Sequence, residues 1–162
     1  MNQQSAERLQ MRFIDTLDKT TRILQGVIQG LSQADAQTWR DGGDGWTVLE
    51  VVCHLQDYEV IFRERATLIL QEEAPTFPVY DHLALVEMNE YNAQNLTAVL
   101  QNLTTSRQET VTLFKNLQAG DWQRTGQHTA MGTFTMLDLA NHIGWHDINH
   151  IEQIARIIAE KQ

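Results

Sequence analysis

The segment 135–154 is a predicted helix that carries three of the six histidines in the chain. His142, His146 and His150 follow one another at steps of four residues. Each step turns an α-helix by only about 40° past a full turn, so neighbouring histidines lie one turn apart on one face. Two imidazoles one turn apart can bind a single divalent metal ion. The same repeat also occurs on solvated faces and at hydrogen-bonded core edges, and this segment alone does not distinguish these cases.

A helical wheel separates the three histidines from one another. One apolar row contains Ala140, Gly144, Ile148, Ile151, Ala155 and Ile158. His150 belongs to a second apolar row beside it, His146 lies at the edge of that second row, and His142 lies nearly opposite the first. A buried site is therefore more easily built from His146 and His150 than from His142 and His146.

The length of 162 residues suits one domain, 1–162, with its own hydrophobic core. The first residues contain no apolar signal region, and no stretch of the sequence approaches the length of a membrane span. We therefore expect a soluble, cytoplasmic protein with no membrane partner. Cys53 is the single cysteine, so no internal disulfide can form. We interpret it as a small packing residue of a helix rather than as a reactive thiol.

The acidic charge argues against a nucleic-acid partner. The formal net charge is -9, whereas proteins that bind nucleic acids need a basic stripe. Arg63 and Arg65 are flanked by glutamates within residues 59–73 and form no such stripe. A distributed acidic surface of this kind usually confers solubility.

The hydrophobic period predicts an all-α protein built from four long helices. Apolar residues recur at steps of three, four or seven over residues 5–31, 47–73 and 81–117 and again from Thr135 onwards. A break in the third helix is expected near residues 103–106. The two prolines, Pro75 and Pro78, fall together in a connector. Residues 32–45 are predicted to be a connection with a short helical turn at Ser32, and residues 119–134 an irregular loop with a short extended pair. Four such helices form a four-helix bundle.

The second helix supplies a third histidine. Thr47 and Glu50 match a capping box, which predicts the helix start, and His54 follows in the second turn at the edge of an apolar row. A lone histidine in this position is usually a packed, hydrogen-bonded side chain. Placed opposite His146 and His150 in a bundle, it would complete a set of three ligands. Three histidines with open coordination positions are typical of a site for chemistry or ligand binding rather than a closed structural site.

Several other polar residues near these helices could have a functional or a structural role. Arg124 and His128 could contact a substrate, although we favour hydrogen bonds that hold the loop in place. His82 is predicted to lie on the surface. Asp147 could orient a ligand imidazole, and a structural hydrogen bond in the core is equally compatible with its position. Glu50 and Asp57 are weaker candidates for a proton acceptor.

Three patterns together resemble the DinB-like (YfiT-like) superfamily. The patterns are W-T-x-x-E-x-x-x-H-L at residues 46–55, W-x-R-x-G-x-H-x-x-x-G-x-x-T at 122–135 and H-D-x-x-H-I-x-Q-I at 146–154. Their order and spacing extend the resemblance over essentially the whole chain. The resemblance implies a four-helix bundle with up-down-down-up topology that often forms dimers, so a homodimer is expected.

The resemblance also implies a metal site. The family's triad of one histidine from helix two and two from helix four corresponds to His54, His146 and His150, which leaves His142 as an extra histidine. Zinc or nickel is the expected divalent ion. Some relatives transfer or isomerise substrates with low-molecular-weight thiols, so such a thiol is an expected cosubstrate. The family name refers to damage-inducible expression and does not imply DNA binding.

Two classes of function follow from these expectations. In the first, the protein is a metal-dependent enzyme, a hydrolase or thiol S-transferase, that acts on a small-molecule substrate. In the second, it is a non-catalytic, dimeric stress-response module that binds a metal or a small ligand. The apolar surface of the last helix spans roughly 200° of the wheel, wider than a surface helix needs, and the surplus could serve as a dimer contact.

Overall fold

A computed structural model describes residues 2–161 of the chain. Within these residues the helices are α1 (Gln3–Val27), α2 (Gln33–Thr38), α3 (Val48–Gln71), α4 (His82–Met88), α5 (Leu96–Lys115) and α6 (Met136–Ala159). Two 3-10 turns, Tyr91–Ala93 and Asp121–Gln123, and two strands, β1 (Thr125–His128) and β2 (Gly132–Thr135), complete the structure. None of these helices is long and apolar enough to cross a membrane.

The four long helices α1, α3, α5 and α6 form the predicted bundle. Helix α1 packs against α5 and α6, and α3 also packs against α5 and α6, so α1 and α3 lie diagonally opposite each other. The early residues of α3 and α5 share one apolar cluster with the late residues of α1 and α6, and the opposite ends share the other cluster, so α3 is parallel to α5 and α1 is parallel to α6. His54 and His150 face each other early in α3 and late in α6, whereas Phe62 faces His142, so these two helices are antiparallel. The topology is therefore up-down-down-up, as the resemblance implied.

Two capping boxes set where the two histidine-bearing helices begin, and the one at Thr47 was predicted from the sequence. The Thr47 hydroxyl accepts a hydrogen bond from the Glu50 amide at 3.2 Å, and the Glu50 carboxylate accepts one from the Thr47 amide at 2.7 Å. Thr135 and Asp138 make the same exchange at the start of α6. Because each exchange satisfies amides that have no partner within the helix, these starts are encoded locally.

The third predicted helix, 81–117, is not continuous. Helix α4 ends at Met88, Glu90 adopts a left-handed conformation with φ of 45°, and α5 starts only at Leu96. The predicted break at residues 103–106 is wrong. The hydroxyls of Thr104 and Thr105 donate to the carbonyls four residues earlier, at 2.7 and 3.0 Å, and so remain inside the helix. The first helix also ends earlier than predicted, at Val27.

The loop before α6 contains the predicted extended pair. Strands β1 and β2 are antiparallel, with Gly126 opposite Phe134. The hairpin is fastened to the proline-containing connector, because the Gln127 amide donates to the Pro75 carbonyl at 2.7 Å and the Phe77 amide donates to the Gln127 carbonyl at 2.8 Å. Residues 75–77 and the hairpin therefore form one cover over this end of the bundle.

A layer of buried polar residues divides the core into two apolar clusters. Each long helix contributes one residue to this layer, namely Thr20, Glu59, Arg107 or Asp147. In every long helix, apolar residues of one cluster precede the layer and those of the other follow it. Arg107 donates to both Asp147 oxygens at 2.6 and 3.1 Å and to Glu59 at 2.6 Å. These directional contacts set how each helix is rotated about its own axis, which the apolar clusters alone do not.

Replacing Gly126 with alanine is expected to destabilise the protein by about 1–3 kcal/mol, because a Cβ here would overlap the ring of Phe77, and overpacking a filled core costs free energy of this size. Gly43→Ala is the matched control, because a Cβ at that loop position would enter open space. Urea unfolding of both variants measures the difference. Equal stabilities would show that the Phe77 ring moves aside freely.

Candidate metal centre

Three imidazoles converge between α3 and α6. His54 from α3 and His146 and His150 from α6 each present one ring nitrogen, and these atoms all lie within 4.8 Å of one another. The Nε2 atoms of His54 and His146 are 3.1 Å apart. Two nitrogens bound to a tetrahedral zinc ion at 2.0–2.1 Å are separated by about 3.3 Å. The spacing of the His54 and His146 nitrogens therefore fits a shared divalent ion, and the His150 nitrogen lies within 4.8 Å of both.

The electrostatics of the cluster also suit a metal ion. Burial, reinforced by the neighbouring His150, lowers the pKa of His54 to about 3. Burial together with the other imidazoles lowers the pKa of His146 to about 2, and burial lowers the pKa of His150 as well. All three rings are accordingly neutral at pH 7. A metal ion entering the site would not have to displace protons from them.

Aromatic side chains enclose the imidazoles. The Tyr58 ring stacks on His146 with centroids 5.2 Å apart, and Phe62 meets the same imidazole edge-on at 5.3 Å. Trp46 covers His54 at 5.0 Å. Burial raises the pKa of Tyr58, so its hydroxyl keeps its proton and can donate a hydrogen bond to a bound molecule. The sequence indicates Tyr58 only as one member of the apolar row of the second helix, so its position beside His146 could not be read from the sequence.

A hydrogen-bonded chain holds His150 in position. Its Nδ1 atom lies 2.8 Å from the Gln153 side-chain oxygen, and the Gln153 amide donates to Asp41 at 3.0 Å. Asp41 in turn pairs with Arg156, which lowers the pKa of the carboxyl group. When Nδ1–H donates to Gln153, the lone pair of Nε2 is available to a metal. The contribution of Asp41 could not be read from the sequence, because this residue belongs to a loop more than a hundred positions away.

Replacing Gln153 with alanine is expected to lower the affinity for zinc by about 10–100-fold, because the His150 ring loses the partner that orients it. Competition with a chromogenic chelator measures this affinity. Asn149→Ala, at an exposed position of the same helix, should leave it unchanged. If both variants bind zinc equally well, packing alone orients His150.

The remaining acidic candidates have structural partners. Asp147 accepts hydrogen bonds from Thr20 and Arg107 in the buried polar layer. It therefore makes the structural hydrogen bond in the core and does not orient a ligand imidazole. Glu50 is part of the capping box. Asp57 accepts from the Tyr91 hydroxyl at 2.6 Å. Neither Glu50 nor Asp57 is thus placed as a proton acceptor for the cluster.

Arg124 and His128 make the predicted hydrogen bonds that hold the loop before α6 in place. Arg124 donates to the Ile69 carbonyl at 2.7 Å and to the Glu72 carbonyl at 3.0 Å. Nδ1 of His128 accepts from the amides of residues 130 and 131. His82 is exposed, as expected. Cys53 is buried, and burial raises its pKa to about 12, which agrees with a packing role.

The wheel of the last helix was only partly right. Ala140, Gly144 and Ile151 are buried, but Ile148 is 45 % exposed. The buried face is instead centred on Ile143, Asp147 and Ile154. This rotation, which the polar layer imposes, leaves His146 and His150 facing α3. His142 lies beyond them, beside the rings of Phe62 and Phe134 rather than within the cluster.

Fold and site together define a class of four-helix-bundle proteins with a three-histidine cluster between antiparallel helices. The chain belongs to the DinB superfamily, whose family model matches residues 16–154. A protein of Oceanobacillus iheyensis is 25% identical over 92% of this chain and 86% of its own length. YfiT of Bacillus subtilis is 27% identical over 90% of this chain and 82% of its own. Both relatives carry the name "Putative metal-dependent hydrolase".

A solved structure has the same fold. It is that of YfiT from Bacillus subtilis, described as "a probable metal-dependent hydrolase with an unusual four-helix bundle topology". The TM-score is 0.87 over 99% of this chain and 90% of the solved chain, at 23% sequence identity. This likeness establishes the bundle and its topology.

Proposed function

We propose that the protein is a metal-dependent enzyme that acts on a small molecule at His54, His146 and His150, with zinc or nickel as the ion. The observation that carries the proposal is the convergence of three neutral imidazoles, one buried and two half-buried, whose nitrogens lie within 4.8 Å of one another. The names of the relatives support the same class of chemistry. Hydrolysis is the first candidate reaction, and transfer of a low-molecular-weight thiol is the second.

A divalent ion with an open coordination position would, when bound, lower the pKa of a bound water or thiol through its charge and so supply a nucleophile. The residues of the chain do the rest. Gln153 holds His150 in the tautomer that leaves Nε2 available. Tyr58 presents a protonated hydroxyl beside His146, where it can donate a hydrogen bond to the substrate. Phe62 and Trp46 pack against the imidazoles of His146 and His54 and reduce their contact with water, which strengthens electrostatic interactions within the site.

The test begins with elemental analysis of protein purified without a histidine tag, before and after reconstitution with zinc, nickel or manganese. The loaded protein is then screened against esters, amides and lactones, and separately against electrophiles mixed with low-molecular-weight thiols. Activity that a chelator abolishes and the ion restores supports the proposal, and dependence on the added thiol selects the transferase. A protein that binds none of the three ions after reconstitution contradicts it.

The non-catalytic dimer is the alternative. Its support is the apolar surface of α6, where Trp145 is 61 % and Ile148 is 45 % exposed. Large apolar side chains grouped in this way are typical of protein contacts. Sedimentation velocity of the parent and a Trp145→Glu, Ile148→Glu variant tests the homodimer. A dimer that the double variant converts to a monomer supports a contact through α6, and a monomeric parent contradicts it.

A further inference from the structure

Arg65 is a buried cation that forms no ion pair with a carboxylate among residues 2–161. Its relative exposure is 7 %, and its Nε atom is buried without a hydrogen-bond partner among residues 2–161. Its neighbours are paired differently, because Arg63 meets Glu109 and Arg107 meets both Glu59 and Asp147. Burying an unpaired charge costs several kcal/mol. A fold retains such a group most readily when a ligand supplies the missing counter-charge.

The guanidinium of Arg65 lies close to the metal centre. Its central carbon is 5.8 Å from the centroid of the Phe62 ring and 5.4 Å from that of Phe77. The Phe62 ring is in turn 5.3 Å from the His146 imidazole. One phenyl ring therefore separates the guanidinium from a candidate metal ligand. Arg65 follows His54 by three helical turns on α3, which explains why both side chains face the same space.

Two imidazoles outside the metal cluster surround the same region. His142 lies 5.5 Å from the Phe62 ring and 5.6 Å from the Phe134 ring, and His128 lies 6.2 Å from Phe134. Burial lowers the pKa of both histidines, and the charge of Arg65 lowers it further. Since Nδ1 of His128 accepts two backbone hydrogen bonds, its proton resides on Nε2, which can donate to a ligand.

We propose that Arg65, assisted by His128 and His142, binds an oxyanion of the substrate, a carboxylate or a phosphate group. A planar guanidinium can donate two parallel hydrogen bonds to either group. The inference rests on the proposed function in one respect, namely that the anion belongs to the molecule on which the metal centre acts. The substrate is then a small organic anion whose reacting group and charged group lie on opposite sides of the Phe62 ring.

The test uses chelator-treated, metal-free protein, so that its outcome is independent of the metal proposal. Thermal unfolding is followed while sodium acetate, succinate or phosphate is added, with sodium chloride at matched ionic strength as the reference. In the parent, at least one of the oxyanions is expected to raise Tm saturably above the chloride reference. The Nε–H resonance of Arg65 in a nitrogen–proton correlation spectrum should shift over the same concentration range. A larger effect of acetate or succinate than of phosphate indicates a carboxylate site, and the reverse order indicates a phosphate site.

Arg65→Met keeps the apolar stem and removes the charge, and Arg63→Met on the same helix is its matched control. In Arg65→Met the oxyanion effect should fall at least tenfold, while Arg63→Met should respond like the parent. Without added anion, Arg65→Met should be no less stable than the parent, since it removes an unpaired buried charge. A parent that responds no more to oxyanions than to chloride overturns the inference. So does an Arg65→Met variant that responds like the parent.

Discussion

Replacing His146 with alanine is expected to abolish stoichiometric binding of zinc or nickel. His146 contacts both other members of the cluster, with its Nε2 atom 3.1 Å from that of His54 and its ring 4.6 Å from that of His150. Without it, a divalent ion keeps only two imidazoles. The affinity should therefore fall by more than the 10–100-fold that is typical when an outer partner of a ligand is lost. Elemental analysis of the purified variant and calorimetric titration with each ion measure the loss.

His142→Ala is the matched control for this experiment. The residue belongs to the same series of histidines and the same helix, one turn earlier, but its ring lies 6.5 Å from that of His146 and outside the cluster. The control should bind metal like the parent. If His146→Ala retains the metal and His142→Ala loses it, the ion binds to the outer pair of the series and the proposed triad is wrong.

Replacing Arg107 with methionine is expected to destabilise the protein by about 3–5 kcal/mol. Arg107 is 3 % exposed, and its guanidinium is the shared partner of Glu59 and Asp147. Methionine can fill the space of the stem, but two carboxylates would remain in the core without a cation. The whole free energy of unfolding of such a domain is about 5–15 kcal/mol, so this loss is a large share of it. Urea unfolding at neutral pH measures the difference.

Two further variants identify the cause of this loss. Arg22→Met removes an arginine from an exposed ion pair with Asp18 and should cost at most about 1 kcal/mol. Combining Arg107→Met with Glu59→Leu and Asp147→Leu should recover most of the stability, because replacing a buried charge cluster by apolar side chains is often neutral or stabilising. If the triple variant is less stable than Arg107→Met alone, the cost comes from packing rather than from uncompensated charge.

The buried polar layer also links the stability of the bundle to the site. Asp147 directly follows His146 in the chain, and its bonds to Arg107 and Thr20 turn that edge of α6 towards the core. The adjacent His146 consequently faces α3. The wheel placed Asp147 towards the core but centred the apolar face of the last helix too close to Ile148, because the partners that hold Asp147 belong to other helices. A charge paired with residues from two other helices cannot be recognised from one helix alone.

The sequence by itself determined the elements whose causes are local. The apolar period, the capping boxes at Thr47 and Thr135 and the four-residue spacing of the histidines depend on neighbours within one or two turns. These signals were sufficient for the bundle and for choosing His146 and His150 over His142 as the pair suited to a buried site. The pattern of the second helix also offered His54 as a third ligand, and the resemblance then implied the same triad and supplied the topology.

The tertiary structure decided what depends on contacts between distant segments. The support of His150 by Asp41, the rotation of α6 by Arg107 and the burial of Arg65 between Phe62 and Phe77 each join residues from different elements. In the sequence, Arg65 stands among glutamates and looks like any surface arginine. Whether a charge is exposed, paired or buried alone depends on which side chains the folded chain brings around it, and that physical condition exists only after the helices have packed.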